Sequence, residues 1–309
     1  MRVLEFTDAH TFLERVRDFL FRDELRHNLL LSSVLTLSKG LSRASTPTRA
    51  PSVTFLAAVT DKDVSGVALR SPNHRWLVSA ETDQAAQILA REIATREALA
   101  AAPLRSILIP TDLTDVFEQA GELRSKSRQN LMSLSKIRPI EGAPGLLRFA
   151  LNKDLKLLTH WSKAFANEGG LDESPSEAEV IVRKYLDTKQ LFVWENGGRP
   201  VAMAAIGGFT PHAARISMVY TEPRSRGHGY ASTLVHRVSH KLLQDGKNCV
   251  LFADATNLKT KYIYEKLGYR TIAQFAELKS QDSFEGLMNG PVTGSVNSPA
   301  TGSNVTITG

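Results

Sequence analysis

Apolar positions along this chain follow two rhythms, and the switches between them predict an alternation of helices and short strands. From Ala9 to Lys39, Phe12, Leu13, Val16, Phe19 and Leu20, then Leu25 and Leu29 to Leu31, fall at helical spacing and predict a helical segment. Gly40 to Pro51, with its serines, threonines and two prolines, predicts a loop. Three β-prone runs follow, Val53 to Val59, Val64 to Arg70 and Arg75 to Ala80. A helix from about Thr82 to Ala100, a strand at Ser106 to Pro110 and a helix from about Leu113 to Gln119 complete an α/β half. Arg124 to Arg138, RSKSRQNLMSLSKIR, reads as a solvated helix face or an inter-domain surface. In DELRHNLLL, His27 and Asn28 have no partner nearby at metal-ligand spacing, so they read as polar residues at a helix junction.

Proline and glycine in Arg138 to Gly145, RPIEGAPG, mark a boundary, after which the pattern starts again. A strand near Leu146 to Ala150 precedes helices from about Lys153 to Ala166 and Ser176 to Leu186. Leu191 to Trp194 and Val201 to Gly207 form a hairpin across ENGGRP. The run ARISMVY then alternates at Ile216, Met218 and Tyr220, and Tyr230 to Leu243 carries an apolar stripe of Leu234, Val235, Val238, Leu242 and Leu243. Asn248 to Ala253 reads as a buried strand, Asn257 to Leu267 as a helix closed by Gly268, and Tyr269 to Lys279 as a last strand. The expected fold class is α/β with a mixed sheet, in a domain of residues 1–140 and a second of 145–282. From Gly286 onward no charged side chain occurs, so 286–309 is expected to be a disordered tail.

Thr221 to Ala231, TEPRSRGHGYA, carries the clearest chemistry, because a strand, a glycine turn and a helix follow one another there. That order places the amides of Gly227, His228, Gly229 and Tyr230 at the positive end of a helix dipole, where they can converge on an anion. Glycine takes positive φ without strain and lets a phosphate approach the backbone; Arg224 and Arg226 add charge. A P-loop would need Lys-Ser or Lys-Thr where Tyr230 and Ala231 stand. The dinucleotide fingerprint would need glycine or alanine where Ser232 stands, and a strand that opens a βαβ unit. Downstream, Asn257 and Tyr264 are seven residues apart, which at about 100° per residue returns them to nearly one helical face.

RGHGYA resembles the [QR]xxGx[GA] loop of the GNAT superfamily of N-acetyltransferases, in the register Arg226, Gly229, Ala231, with Arg224, Gly227, Gly229 as a second register. NLKTKYIYEKLGY resembles that family's later motif at Asn257, Tyr264, Lys266, Gly268 and Tyr269, with Thr260 and Tyr269 as departures. The resemblance implies a C-terminal GNAT fold that binds acetyl-CoA as co-substrate. It implies that the backbone of Val219, Tyr220 and Thr221 holds the pantetheine and that Arg226, Gly227, His228, Gly229, Tyr230 and Ala231 hold the diphosphate. Asn257 would lie along the pantetheine, and Tyr264 would protonate the leaving thiolate. The first half has a similar element order without a glycine loop and, in strings such as RHNLLL, resembles the N-terminal halves of certain two-domain bacterial GNAT proteins. In GNAT proteins the loop equivalent to NEGGLDESP borders the acceptor site, so Glu168, Asp172 and Glu173 are candidates to hold a cationic amine or act as base. Glu222 and Glu277 are further base candidates.

Composition narrows the classes. A chain of 309 residues that is 42% hydrophobic supports two cores. The formal charge of +6 suits an anionic co-substrate, while 7% aromatics and no recognisable basic reader argue against nucleic acid as a partner. Cys249, the single cysteine, reads as a small buried hydrophobe. No apolar run approaches the roughly 20 residues of a membrane span, and MRVLEFTDAH lacks a signal-peptide core, so the expected location is the cytoplasm. The expected activity is N-acetyl transfer to a small-molecule or amino-acid-like amine, without a metal. A non-catalytic CoA-binding regulator and a protein N-acetyltransferase are the alternatives. Tyr264 beside Asn257 favours catalysis, since a sensor needs no proton donor.

Overall fold

The computed structural model describes residues 1–40, 53–70, 75–99, 106–121, 123–169 and 174–280. The Leu41 to Pro51 part of the expected loop, Asp172, Glu173 and the 286–309 tail lie outside the described residues. The first half runs β1 (Arg2–Phe6), α1 (Ala9–Arg22), α2 (Asn28–Ser38), β2 (Thr54–Val59), β3 (Val64–Arg70), β4 (Arg75–Ala80), α3 (Asp83–Ala98), β5 (Ser106–Pro110), α4 (Thr114–Ala120) and β6 (Leu123–Leu134). The second repeats that order as β7 (Leu146–Phe149), α5 (Leu155–Glu168), α6 (Pro175–Asp187), β8 (Leu191–Asn196), β9 (Arg199–Gly207), β10 (Ala213–Thr221), α7 (Tyr230–Gln244), β11 (Asn248–Asp254), α8 (Leu258–Leu267) and β12 (Arg270–Ser280). Side chains set several boundaries. Asp8 caps α1, Thr82 caps α3, Ser174 and Glu177 form a capping box on α6, and Gly268 at φ 107° closes α8.

Two expectations are corrected here. The helical segment from Ala9 to Lys39 is two helices, because the Asp23 carboxylate accepts the Arg26 amide at 3.0 Å and diverts the backbone from its helical ladder. The Arg124 to Arg138 segment is not a helix face: its first eleven residues lie in β6. Arg124, Lys126 and Arg128 alternate outward against half-buried Ser125, Ser127 and Gln129, a period of two, before the strand turns apolar at Leu131. The opening strand Arg2–Phe6 was not expected: RVLEF is five residues long, does not alternate with period two and has no fully buried side chain.

The twelve strands of the described residues form one mixed sheet in the order β1-β2-β3-β4-β5-β12-β6-β11-β10-β9-β8-β7. β4–β5 and β10–β11 are parallel and the other pairs antiparallel. The last strands of the two halves are exchanged. β12 pairs with β5 and β6, and β6 pairs with β12 and β11, so each half completes its sheet with a strand from the other. The cores follow the strands. Leu131, Val250 and Phe275 pack with α1 and α2, Ala276 and Leu278 with α3, and Met132 and Leu134 with α7. We keep 1–140 and 145–282 as a proposed division of the chain, with the exchange as a tie between the parts.

The junction between α1 and α2 adds a second tie. Glu24 accepts the His212 amide at 2.7 Å and meets its Nδ1 at 2.7 Å, and Asn28 Nδ2 donates to Gly208 O at 2.8 Å. Beside them, His27 bonds Leu20 O at 3.1 Å and Ser79 Oγ at 3.0 Å and stacks on Phe19, the junction role that its sequence setting suggests. Because neither half owns a complete sheet, calorimetry of the full chain should give a single transition with matching calorimetric and van't Hoff enthalpies. Two resolved transitions would show that the halves unfold separately.

Candidate functional site

The site begins where β10 and β11 part. Their parallel ladder holds only Ala213 to Arg215 against Asn248 to Val250, yet β10 continues to Thr221 and β11 to Asp254. Beyond Arg215 one edge of β10 therefore faces no strand, while its other edge stays paired with β9. Unpaired strand amides of this kind are a template for an extended ligand.

A bulge between Ser217 and Tyr220 deforms β10 at that edge, with Met218 at φ 52°. A non-glycine residue held there costs on the order of 1–3 kcal/mol, which the packing around it must offset. The bulge also corrects the expected alternation. Ile216 packs with Leu234, Val235 and Val238 of α7, whereas Met218 and Tyr220 pack on the opposite face with Leu158, Trp161 and Val182. One extra residue inverts the phase, which a period-two reading of ARISMVY does not register.

After β10 the chain makes a 3-10 turn, Pro223–Ser225, and enters α7 through Gly227 at φ 87° and Gly229 at φ 76°, with Gly229 as N-cap. A Cβ at Gly227 would meet nothing within 4 Å, so positive φ and not crowding calls for glycine there. Among the described residues, the amides of Gly227, His228, Gly229 and Tyr230 donate no hydrogen bond, as the start of a helix requires. The loop's side chains are engaged elsewhere: His228 stacks on Tyr230, and the Tyr230 hydroxyl accepts from Asn196 Nδ2 at 2.8 Å. Thr221 ends the strand with a buried hydroxyl that has no partner among the described residues.

Arg226 is held over this edge. Its Nε donates to Thr221 O at 3.0 Å, its guanidinium lies 5.4 Å from the Tyr220 ring, and its Nη2 meets Glu168 Oε1 at 2.7 Å. That hydrogen bond to Glu168 raises the Arg226 pKa above its ordinary value, and dehydration together with the Glu168 charge raises that of Tyr220. Glu168, the last residue of α5, thus stands on the arginine of the loop. Sequence reasoning placed both residues at the site but did not pair them, because they are 58 positions apart.

Asn257 is the N-cap of α8, its Oδ1 accepting the Thr260 amide at 3.0 Å, so it precedes the helix whose face it was expected to share with Tyr264. Tyr264 lies in α8 among Tyr230, Leu251 and Leu267 with its ring centroid 5.8 Å from that of Tyr269. Burial pushes its pKa up to about 12, and its hydroxyl makes no hydrogen bond among the described residues. Of the other base candidates, Glu222 lies just past β10 and accepts from Ser225 Oγ at 3.5 Å. Glu277 is buried on β12, where it meets Arg75 at 3.4 Å and Ser127 Oγ at 3.3 Å, tied to the first half. Cys249 is fully buried beside Ser239, and burial pushes its thiol up to about 12.

Residues 197–277, which span β9 to β12 and hold the loop and Tyr264, match the family model described as FR47-like protein. No curated protein matches the chain. Among solved structures, a protein from Drosophila aligns with a TM-score of 0.62 at 14% identity over 90% of this chain and 98% of its own. A GNAT-family acetyltransferase from Colwellia psychrerythraea gives 0.58 at 11% over 91% and 100%. A GCN5-related N-acetyltransferase from Sphaerobacter thermophilus gives 0.58 at 12% over 90% and 95%. At these identities the likeness is one of fold, and it extends over both halves: the chain is a GNAT-fold protein with an FR47-like C-terminal region. Among the described residues no helix is long and apolar enough to cross a membrane, and no cluster of three metal-ligating side chains occurs.

The burial of Tyr264 and Cys249 has a defined sign. In the unfolded chain these groups titrate near 10 and 9, and folding raises both to about 12 by favouring the neutral forms. Their contribution to stability is therefore full below about pH 9 and is lost as pH rises toward 12. Urea midpoints should fall across that window, and the native thiol should not react with a disulfide reagent at pH 8 until the chain unfolds.

Proposed function

We propose that the protein is an N-acetyltransferase that moves the acetyl group of acetyl-CoA directly to an amino group of a small-molecule or amino-acid-like acceptor. The observation that carries this reading is the free edge of β10, followed after one 3-10 turn by the undonated amides at the start of α7. Val219, Tyr220 and Thr221 offer that edge to the pantetheine. Arg226 and the amides of Gly227 to Ala231 receive the diphosphate, and Asn257 stands at the start of the helix that carries Tyr264.

In the reaction, a neutral amine attacks the thioester carbonyl carbon, the C–N bond forms and the C–S bond breaks. The amine loses a proton to a base and the departing sulfur takes one. Holding the two substrates together provides most of the acceleration, up to roughly 7–11 kcal/mol. A phenol near 12 facing a thiol that ionises near about 8.5 makes complete proton transfer uphill by about 5 kcal/mol. Tyr264 therefore serves best as a hydrogen-bond donor to the sulfur as its charge develops, remaining protonated through the ordinary pH range. Glu168 enters the reaction through the donor: a diphosphate on Arg226 competes for the same guanidinium, and the carboxylate it displaces becomes available as base.

Two results test this assignment. Arg226→Glu should abolish acetyl-CoA binding in a calorimetric titration, while Tyr264→Phe should bind it normally and lose about 10²–10⁴-fold in kcat. Unchanged binding in the first variant would overturn the donor site, and unchanged turnover in the second would remove Tyr264 from the chemistry. Because an exposed ion pair contributes about 0.2–1 kcal/mol, Glu168→Gln should tighten acetyl-CoA binding by roughly 1.5–5-fold while lowering kcat. A rise in affinity without a fall in kcat would leave Glu168 as a competitor for Arg226 and not a base.

A further inference from the structure

Arg215 occupies the vertex of the parting strands, as the last residue of β10 paired with β11. It is half-buried, and among the described residues it has no carboxylate within 4.0 Å. Its one side-chain hydrogen bond among the described residues runs from Nη1 to Asn28 Oδ1 at 2.9 Å, on the helix contributed by the first half. A guanidinium carries five N–H donors, so most of this fork is unspent. A charge that has lost water is ordinarily paired, and loss of surrounding water pushes this group's pKa down from its ordinary value.

The surroundings are shaped to keep the cation in place without neutralising it. A Cβ on Gly208, at φ 55°, would lie 2.7 Å from both Arg215 Cζ and Nη1, and a Cβ on Gly207 would lie 3.0 Å from the Tyr185 hydroxyl. The Gly207-Gly208 pair at the end of β9 thus lets a guanidinium and a phenol lie against bare backbone. The Tyr185 hydroxyl, on α6, makes no hydrogen bond among the described residues, and Ser217 follows Arg215 by two positions at the start of the bulge. Asn28 is itself committed, donating to Gly208 O at 2.8 Å, so the oxygen it offers Arg215 is fixed. The cluster combines an unneutralised fork with a free hydroxyl at the inner end of the exposed β10 edge.

We propose that Arg215, positioned by Asn28 and joined by Tyr185, binds the carboxylate of the acceptor, so that the acceptor class is a carboxylated amine such as an amino acid. This rests on the acetyl-transfer reading for the word acceptor, but the carboxylate site stands on its own geometry. Planar, two-point recognition of a carboxylate is what a guanidinium does better than an ammonium. Both halves build the site, since Asn28 comes from the first and Arg215, Gly208 and Tyr185 from the second.

The test uses the full chain, titrated calorimetrically with the proteinogenic amino acids and with their carboxamides, and assayed for thiol release with acetyl-CoA. At least one amino acid should bind about 10–100-fold more tightly than its amide, the range expected for a charge-assisted hydrogen bond. Arg215→Gln should erase that difference while leaving acetyl-CoA affinity unchanged. Arg215→Lys, which keeps the charge, should retain part of it and guards against a glutamine variant that does not fold. Acid-selective binding lost in Arg215→Gln upholds the site even where no thiol is released, an outcome that would count against acetyl transfer alone. Equal binding of acids and amides, or selectivity that survives in Arg215→Gln, would overturn the proposal.

Discussion

The parting of β10 from β11 is the constraint on which the rest of this molecule depends. Backbone N–H and C=O groups inside a protein need partners, and a strand that loses its neighbour leaves a row of them facing open space. Here the loss begins after Arg215 and runs to Thr221, where the buried hydroxyl is also without a partner among the described residues. The Met218 bulge holds the strand in a shape that a regular ladder would not permit, and the turn into α7 continues the edge with further free amides. Unpaired strand amides of this kind are what an extended ligand pairs with.

Keeping two strands apart requires a rigid frame, and the exchange of β6 and β12 supports it. β11 is paired through its length with β6, a strand of the first half, which anchors it on the side away from β10. β10 is held by β9 and, through Arg215 and Gly208, by Asn28 of α2. The first half lacks a glycine loop of its own, but it supplies strand pairing on one side of the gap and a polar clasp at its vertex. That accounts physically for a second half-sheet in a protein whose glycine turn, Asn257 and Tyr264 all fall after residue 215.

Much of this was legible in the residues. Val64 to Arg70, Arg75 to Ala80 and Ser106 to Pro110 have the bounds their apolar runs suggest, and the glycines of RGHGYA take the positive φ that the loop reading requires. The misreadings have local causes. β6 carries arginine, lysine and serine where a strand is expected to show apolar alternation, because on its inward side Ser127 meets the buried Glu277, itself paired with Arg75. Asn257 and Tyr264 were placed on one face by helical arithmetic, but a capping residue lies outside the helix and its side chain turns back to the Thr260 amide.

Local signals were enough for the fold class, the repeated order of elements and the glycine turn into α7, because periodicity, caps and positive-φ glycines act over a few residues. Only the tertiary structure decided what depends on pairs distant in the chain. The exchange of β6 and β12, the hold of Glu168 on Arg226 and the meeting of Asn28 with Arg215 join residues 58 to 187 or more positions apart or strands from opposite halves. Each is a choice among many chemically acceptable partners, and such choices are made by the closing of the sheet and not by any stretch of sequence.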